Sequence, residues 1–234
     1  MPDDEEPQDS EQNEMSNFEA LVRQLPKEIR VFPHGISGEV LEEFRQIHGE
    51  VGKDAAEDAA ALCDWLANRL NWVDVFAFKQ HLVRLSNDVR VEVLRFLQRL
   101  TQDGAQDMEE FQRQWIYAAQ MQVQMRLENS LMDEPVGFIA SGLGGEGDCI
   151  RYYFAVASPR AAQIPQAKAR IIVQEYADLA RGMGITIEDT QITEDYLLFR
   201  VLVPYKQLIT AFIVAGIEQS QLLLDSEFWV TNVI

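Results

Sequence analysis

The chain has 234 residues, 47% of them hydrophobic, and a formal net charge of −18. That is enough apolar material to bury a core, while so strong a negative charge repels phosphate backbones and anionic bilayers at long range and so disfavours nucleic-acid or membrane-surface binding. The acidity is concentrated at the front: residues 1–135 carry 13 Lys/Arg against 27 Asp/Glu, residues 136–234 carry 7 against 11.

Residues 1–15, MPDDEEPQDSEQNEM, contain acids, prolines and glutamines without a base, the composition of a disordered tail. Such a tail either solubilises the chain or offers acidic bait to a basic partner. It has neither the apolar core of a secretory signal nor the arginines of an organellar one.

From residue 16 to 132 apolar residues recur at three- and four-residue steps, which predicts an α-helical domain throughout. Asp54-Ala-Ala-Glu57 and Asp107-Met-Glu-Glu110 have capping-box spacing and predict two helix starts. AAALCDWLANRL, WVDVFAFKQHLVRL and VRVEVLRFLQRL, separated by a few residues near Asn71 and Ser86-Asn87, read as antiparallel neighbours. The helix after Asp107 carries apolar seams through Trp115 and Val123 broad enough to serve either a core or a partner subunit.

Past Pro135 the period changes to two. Residues 150–158, 185–188, 196–203 and 228–234 read as strands, with one helix after Pro165 ending at Arg181-Gly182 and another from Pro204 to about Leu224. The order from Ile150 is β-α-β-β-α-β, so the expected fold is α+β: an all-helical domain over 16–132 and a ferredoxin-like domain over 136–234. The strand-like stretch 136–141 is one extra N-terminal strand, a candidate hairpin partner for 150–158.

Gly142, Gly144 and Gly147 satisfy G-x-G-x-x-G, but a phosphate-binding loop opens a helix, and here a strand follows, with Glu146 and Asp148 adding the wrong charge. A hairpin connection is expected instead. The two cysteines, Cys63 and Cys149, and three histidines, His34, His48 and His81, lack metal-ligand spacing, so no metal, cofactor or catalytic group is assigned; Cys63 with His81 would lack a third member. The longest apolar run, 208–217, is too short to span a bilayer, which places the expected protein in the cytoplasm.

The first and third strands of the ferredoxin-like half are apolar on both faces, so the face away from its helices needs a cover. Function is therefore expected to be a non-catalytic protein-interaction or regulatory module. It would self-associate as a homo-oligomer through the sheet, at Tyr153 and Phe199, or through the long helix, at Trp115 and Val123. The alternative is a small-molecule sensor holding an anionic group by Arg151 or Arg200. RNA stacking on Tyr152, Tyr153 and Phe199, or an enzyme of unspecified class, stands further back.

Overall fold

The computed structural model describes residues 26, 28–51, 58–102, 108–132, 135–158, 163–224 and 229–231. The acidic residues 1–15 and the Asp54–Glu57 box lie outside them, as does Asp107. The described chain is mixed α+β, with helices dominating the first part and an antiparallel sheet the second.

Five α-helices build the first core: α1 (Gly38–Val51), α2 (Ala59–Ala67), α3 (Val75–Leu85), α4 (Val91–Gln102) and α5 (Glu110–Leu131). Their starts follow capping chemistry. Ser37, Asp58 and Asp74 accept through their side chains from the amides of Val40, Ala61 and Ala77, satisfying donors that the first helical turn leaves unpaired. At α5 the amide of Glu109 donates to Gln112 Oε1 at 3.1 Å, so the helix begins at Glu110 rather than at Asp107. Phe78, Leu82, Leu97, Trp115, Ile116 and Val123 form the centre of this core.

Two stretches depart from the helical expectation. Arg69–Val73 is a 3-10 turn, so α3 starts at Val75 instead of Trp72. More consequentially, Glu28–Val31 is a strand, β1, pairing in parallel with β2 (Val136–Ile139). The extra strand thus finds its partner more than a hundred residues upstream and leaves residues 150–158 to others.

Those others form one antiparallel sheet: β3 (Gly145–Glu146), β4 (Cys149–Ala157), β5 (Thr186–Ile192), β6 (Tyr196–Pro204) and β7 (Trp229–Thr231). β4 and β6 are central and pair along their whole length; β5 flanks β6, while β7 and the short β3 share the outer edge of β4. Helices α6 (Gln166–Met183) and α7 (Ile209–Leu224) supply Ile172, Tyr176, Phe212 and Ile213 to cover one face. α6 ends at Gly184, in the left-handed region at φ 68°, rather than at Gly182, and α7 starts five residues after Pro204, which still belongs to β6.

The glycine loop is a clasp between the halves. Val31 N–H donates to Gly147 O at 2.7 Å and Ile36 N–H to Ser141 O at 2.9 Å. Gly144, at φ 68°, lies so close to the upstream segment that a Cβ would stand 2.3 Å from Pro33 O, and one on Gly145 would stand 2.1 Å from Cys149 O and 2.5 Å from Val31 Cγ1. The glycines therefore serve close backbone approach as well as turning the hairpin. Gly144→Ala and Gly145→Ala are each expected to destabilise the fold by about 1–3 kcal/mol. Gly142→Ala, whose Cβ meets nothing within 4 Å, is expected to stay within about 0.5 kcal/mol of the parent; urea unfolding midpoints measure all three.

Candidate functional site

Alternation along β4 and β6 sorts their side chains onto two unlike faces. Phe154 opposes Phe199, Tyr152 opposes Val201 and Val156 opposes Leu197 on the face beneath α6 and α7. The Phe154 and Phe199 rings stack at 4.9 Å, with Tyr176 4.8 Å from Phe199 and Phe212 edge-on to both Phe154 and Tyr176. The other face has the rungs Arg151–Leu202–Thr186, Tyr153–Arg200–Asp189 and Ala155–Leu198–Gln191, then Ala157–Tyr196. None of these residues belongs to either apolar core among the described residues, and all but Leu202 keep solvent exposure.

A β-bulge organises the charged end of this open face. The register of β5 on β6 shifts between Ile187 and Asp189, which makes Glu188 the extra residue and re-aims its side chain. Arg151 holds that carboxylate through two hydrogen bonds, Nε to Oε2 at 2.6 Å and Nη2 to Oε1 at 2.8 Å, and its Nη1 donates to Leu143 O at 3.3 Å. Arg200 approaches the same Oε2 with its Nε at 3.4 Å. That contact is an ion pair without hydrogen-bond geometry, so the shielded Nε of Arg200 has no hydrogen-bond partner.

The hydrogen bond from Arg151 holds the Glu188 carboxyl below its usual range against the opposing effect of burial, and the same bond raises Arg151 above its own. Arg151 is thus committed to a structural pair, while Arg200, with its side chain 40% exposed, is the less committed cation. On this face Tyr153, Ala155, Leu198 and Tyr196 make an apolar strip beside a charged end.

Sequence reasoning singled out six residues, and the structure does not gather them. Arg151, Tyr153 and Arg200 share the open face. Phe199 lies on the covered face, fully buried; Trp115 and Val123 are buried in the helical core. Those three present no surface, because aromatic and β-branched side chains at helical or alternating spacing had a core of their own chain to fill. Base stacking on Tyr152 and Phe199 falls for the same reason: both face the helices. Glu188, the residue on which the charged end turns, reads in the sequence as a solvated acid of an edge strand; its place opposite two arginines depends on a bulge that alternation does not reveal.

The remaining candidates are scattered. His34 stacks on Tyr117 at 4.1 Å, His48 Nε2 lies 2.9 Å from Asn87 Oδ1, and His81 packs edge-on against Trp65. No hydrogen bond links Cys63 to His81, whose Nδ1 is buried without a partner, and burial, followed by Asp64, pushes the Cys63 thiol up, away from a nucleophilic thiolate. Cys149 is pushed up further, to about 11, by burial and by Asp148. Among the described residues no cluster of His, Cys, Asp and Glu could hold a metal ion, and no helix is long and apolar enough to cross a membrane.

No family model matches the chain, and no curated protein matches it. Among solved structures it is similar to a Deinococcus radiodurans R1 protein described provisionally as a transposase, at 13% identity and a TM-score of 0.31, over 37% of this chain and 80% of that one. A likeness at that score carries no argument about fold or function.

The charged end has a pH signature. Glu188→Gln is expected to cost about 1–2 kcal/mol at neutral pH through loss of the charge-assisted pair with Arg151. Because the folded carboxyl titrates below its ordinary value of 4.5, the difference between parent and variant is present above that value and lost as pH falls through the lowered folded one. Denaturant unfolding of both proteins between neutral pH and strong acid measures it.

Proposed function

We propose that this protein is a non-catalytic interaction module of the cytoplasm, whose sheet domain self-associates by placing the open face of one copy against that of another. The observation that carries this reading is the contrast between the two faces of β4 and β6. One is sealed by a four-ring aromatic cluster; the other leaves Tyr153, Leu198 and Tyr196 in part exposed to solvent. Exposed contiguous apolar surface rimmed by charge is the usual character of a protein contact.

The strand order β7-β4-β6-β5 supports reading this domain as ferredoxin-like, with β4 and β6 as its first and third strands. A second copy suits the face because its charges are mixed: Arg200 stands on the same rung as Asp189, so a two-fold related copy can bring each cation toward the other's acid. A regulatory role follows if assembly is the output of the module.

A second reading rests on Arg200. Its side chain is 40% exposed and its contact with Glu188 lacks hydrogen-bond geometry, so the exposed side of the guanidinium would receive the anionic group of a small ligand lying along Tyr153, making the module a sensor.

The two readings separate in solution. Sedimentation of the parent chain is expected to show a dimer at micromolar concentration, and Tyr153→Glu and Leu198→Glu are expected to give folded monomers. Phe199→Glu instead is expected to lose cooperative folding, since an unpaired buried carboxylate costs several kcal/mol, on the order of a domain's stability. A parent chain that stays monomeric at high concentration would remove the self-association reading.

A further inference from the structure

The edge of the sheet carries a pattern that the reading of its open face does not use. β5 is the outermost strand beside β6. With a neighbour on one side only, half of its main-chain N–H and C=O groups point away from the sheet. Among the described residues no group bonds to the outward main chain of Thr186–Ile192.

Counting rungs by their partners on β6 reveals the pattern. Thr186 and Ile187 stand opposite Leu202 and Val201, and Asp189, Thr190, Gln191 and Ile192 follow in step opposite Arg200, Phe199, Leu198 and Leu197, so the bulge leaves Glu188 without a rung of its own. Thr193 then bonds Tyr196. With Glu188 set aside, the edge reads Thr-Ile-Asp-Thr-Gln-Ile-Thr and is symmetric about Thr190: Thr186 matches Thr193, Ile187 matches Ile192, and Asp189 matches Gln191.

Such a strand complements itself when a second copy is laid antiparallel along it. The two Thr190 residues meet on the axis, each Ile187 meets an Ile192, and each Asp189, an acceptor only, meets a Gln191 amide, a donor. No acid opposes an acid. A slip of two rungs one way would set Asp189 against its own copy, and a slip of one rung would turn the helix-covered side of one sheet toward the open side of the other. Ile192, 46% exposed at the end of the strand, gains a cover in the symmetric register. Charges and bulges normally blunt a free edge, but here the bulged Glu188 carboxylate is held by Arg151, two strands away across the open face.

We propose that β5 is a second self-association surface, pairing antiparallel with β5 of another copy about a two-fold axis through Thr190. Two sheets then become one, with their open faces side by side. The contact is a short row of main-chain bonds, so it is weak and forms at high micromolar concentration. It does not depend on the open-face reading.

Disulfide trapping tests it. Directly opposed Cα atoms of an antiparallel pair stand about 4.5–5.5 Å apart, within disulfide reach, so Thr190→Cys is expected to link position 190 of one copy to position 190 of another under mild oxidation. Positions 186 of the two copies stand six rungs apart, about 20 Å, and Thr186→Cys is expected not to link. Peptide mapping by mass spectrometry separates these links from any through Cys63 or Cys149, and circular dichroism checks that each variant is folded. In the Thr190→Cys chain, Gln191→Asp sets acid against acid twice and is expected to lower the yield about tenfold, while Gln191→Lys restores it. A mixture of Asp189→Cys and Gln191→Cys chains repeats the trap without altering Thr190. Adding Tyr153→Glu, which removes the face contact, is expected to leave the link at position 190 in place. Equal yields at 186 and 190, a yield insensitive to the charge at 191, a link lost with Tyr153→Glu, or no link from either trap would each overturn the proposal. A dimer in sedimentation that Tyr153→Glu abolishes, with no link at position 190, would overturn it while leaving the face reading intact.

Discussion

The packing of Phe154, Phe199, Tyr176 and Phe212 into one cluster is the constraint on which the sheet half depends. Phe154 and Phe199 are directly opposed across β4 and β6, and the Tyr176 ring reaches them only because Gly216 stands opposite: a Cβ there would lie 2.2 Å from Cε1. Tyr176 closes the arrangement by donating its hydroxyl to Ile213 O, so the most polar atom in the cluster is satisfied. Because side chains alternate along a strand, sealing these rings under α6 and α7 turns every intervening residue of β4 and β6 to the opposite side. The open face is a consequence of the closed one.

Two further devices connect that sheet to the rest of the molecule. The bulge at Glu188 brings a carboxylate between Arg151 and Arg200, and Arg151 also reaches Leu143 O in the glycine loop. The loop in turn is threaded against residues 31–36 by main-chain hydrogen bonds, and Phe138 and Ala140, on and just past β2, pack on the helical core. Among the described residues a chain of contacts therefore runs from the arginine pair on the sheet to the helices, through the backbone of the glycine loop and the apolar side chains of Phe32, Ile36, Phe138 and Ala140.

The strands and helices after Ile150 are legible in the sequence because their period is strong and their turns are chemically marked, as where Thr193 Oγ1 closes on Tyr196 between β5 and β6. β1 is not legible: Glu-Ile-Arg-Val is four residues long in a helical context, and its parallel partner is set by tertiary packing that no local pattern records. The break at 69–73 left a fainter trace in Asn68 and Asp74, which flank it and accept through their side chains from the amides of Leu70, within it, and Ala77, in the helix that follows. For the site, alternation separates Tyr153 from Phe199 but does not say which set the helices cover. Arg151 and Arg200 were visible as neighbouring cations, and the acid between them was hidden by the bulge.

On the proposed reading the closed face serves stability and the open face recognition, with the arginine and acid rungs setting how two copies would orient. Hydroxyl-radical footprinting across a dilution series tests this division on the unaltered protein. Tyr153 and Tyr196 are expected to be protected at high concentration and to become reactive on dilution, while Tyr176, sealed in the aromatic cluster, stays unreactive throughout. Equal reactivity of Tyr153 and Tyr196 at every concentration would contradict the assignment of the open face as a self-association surface.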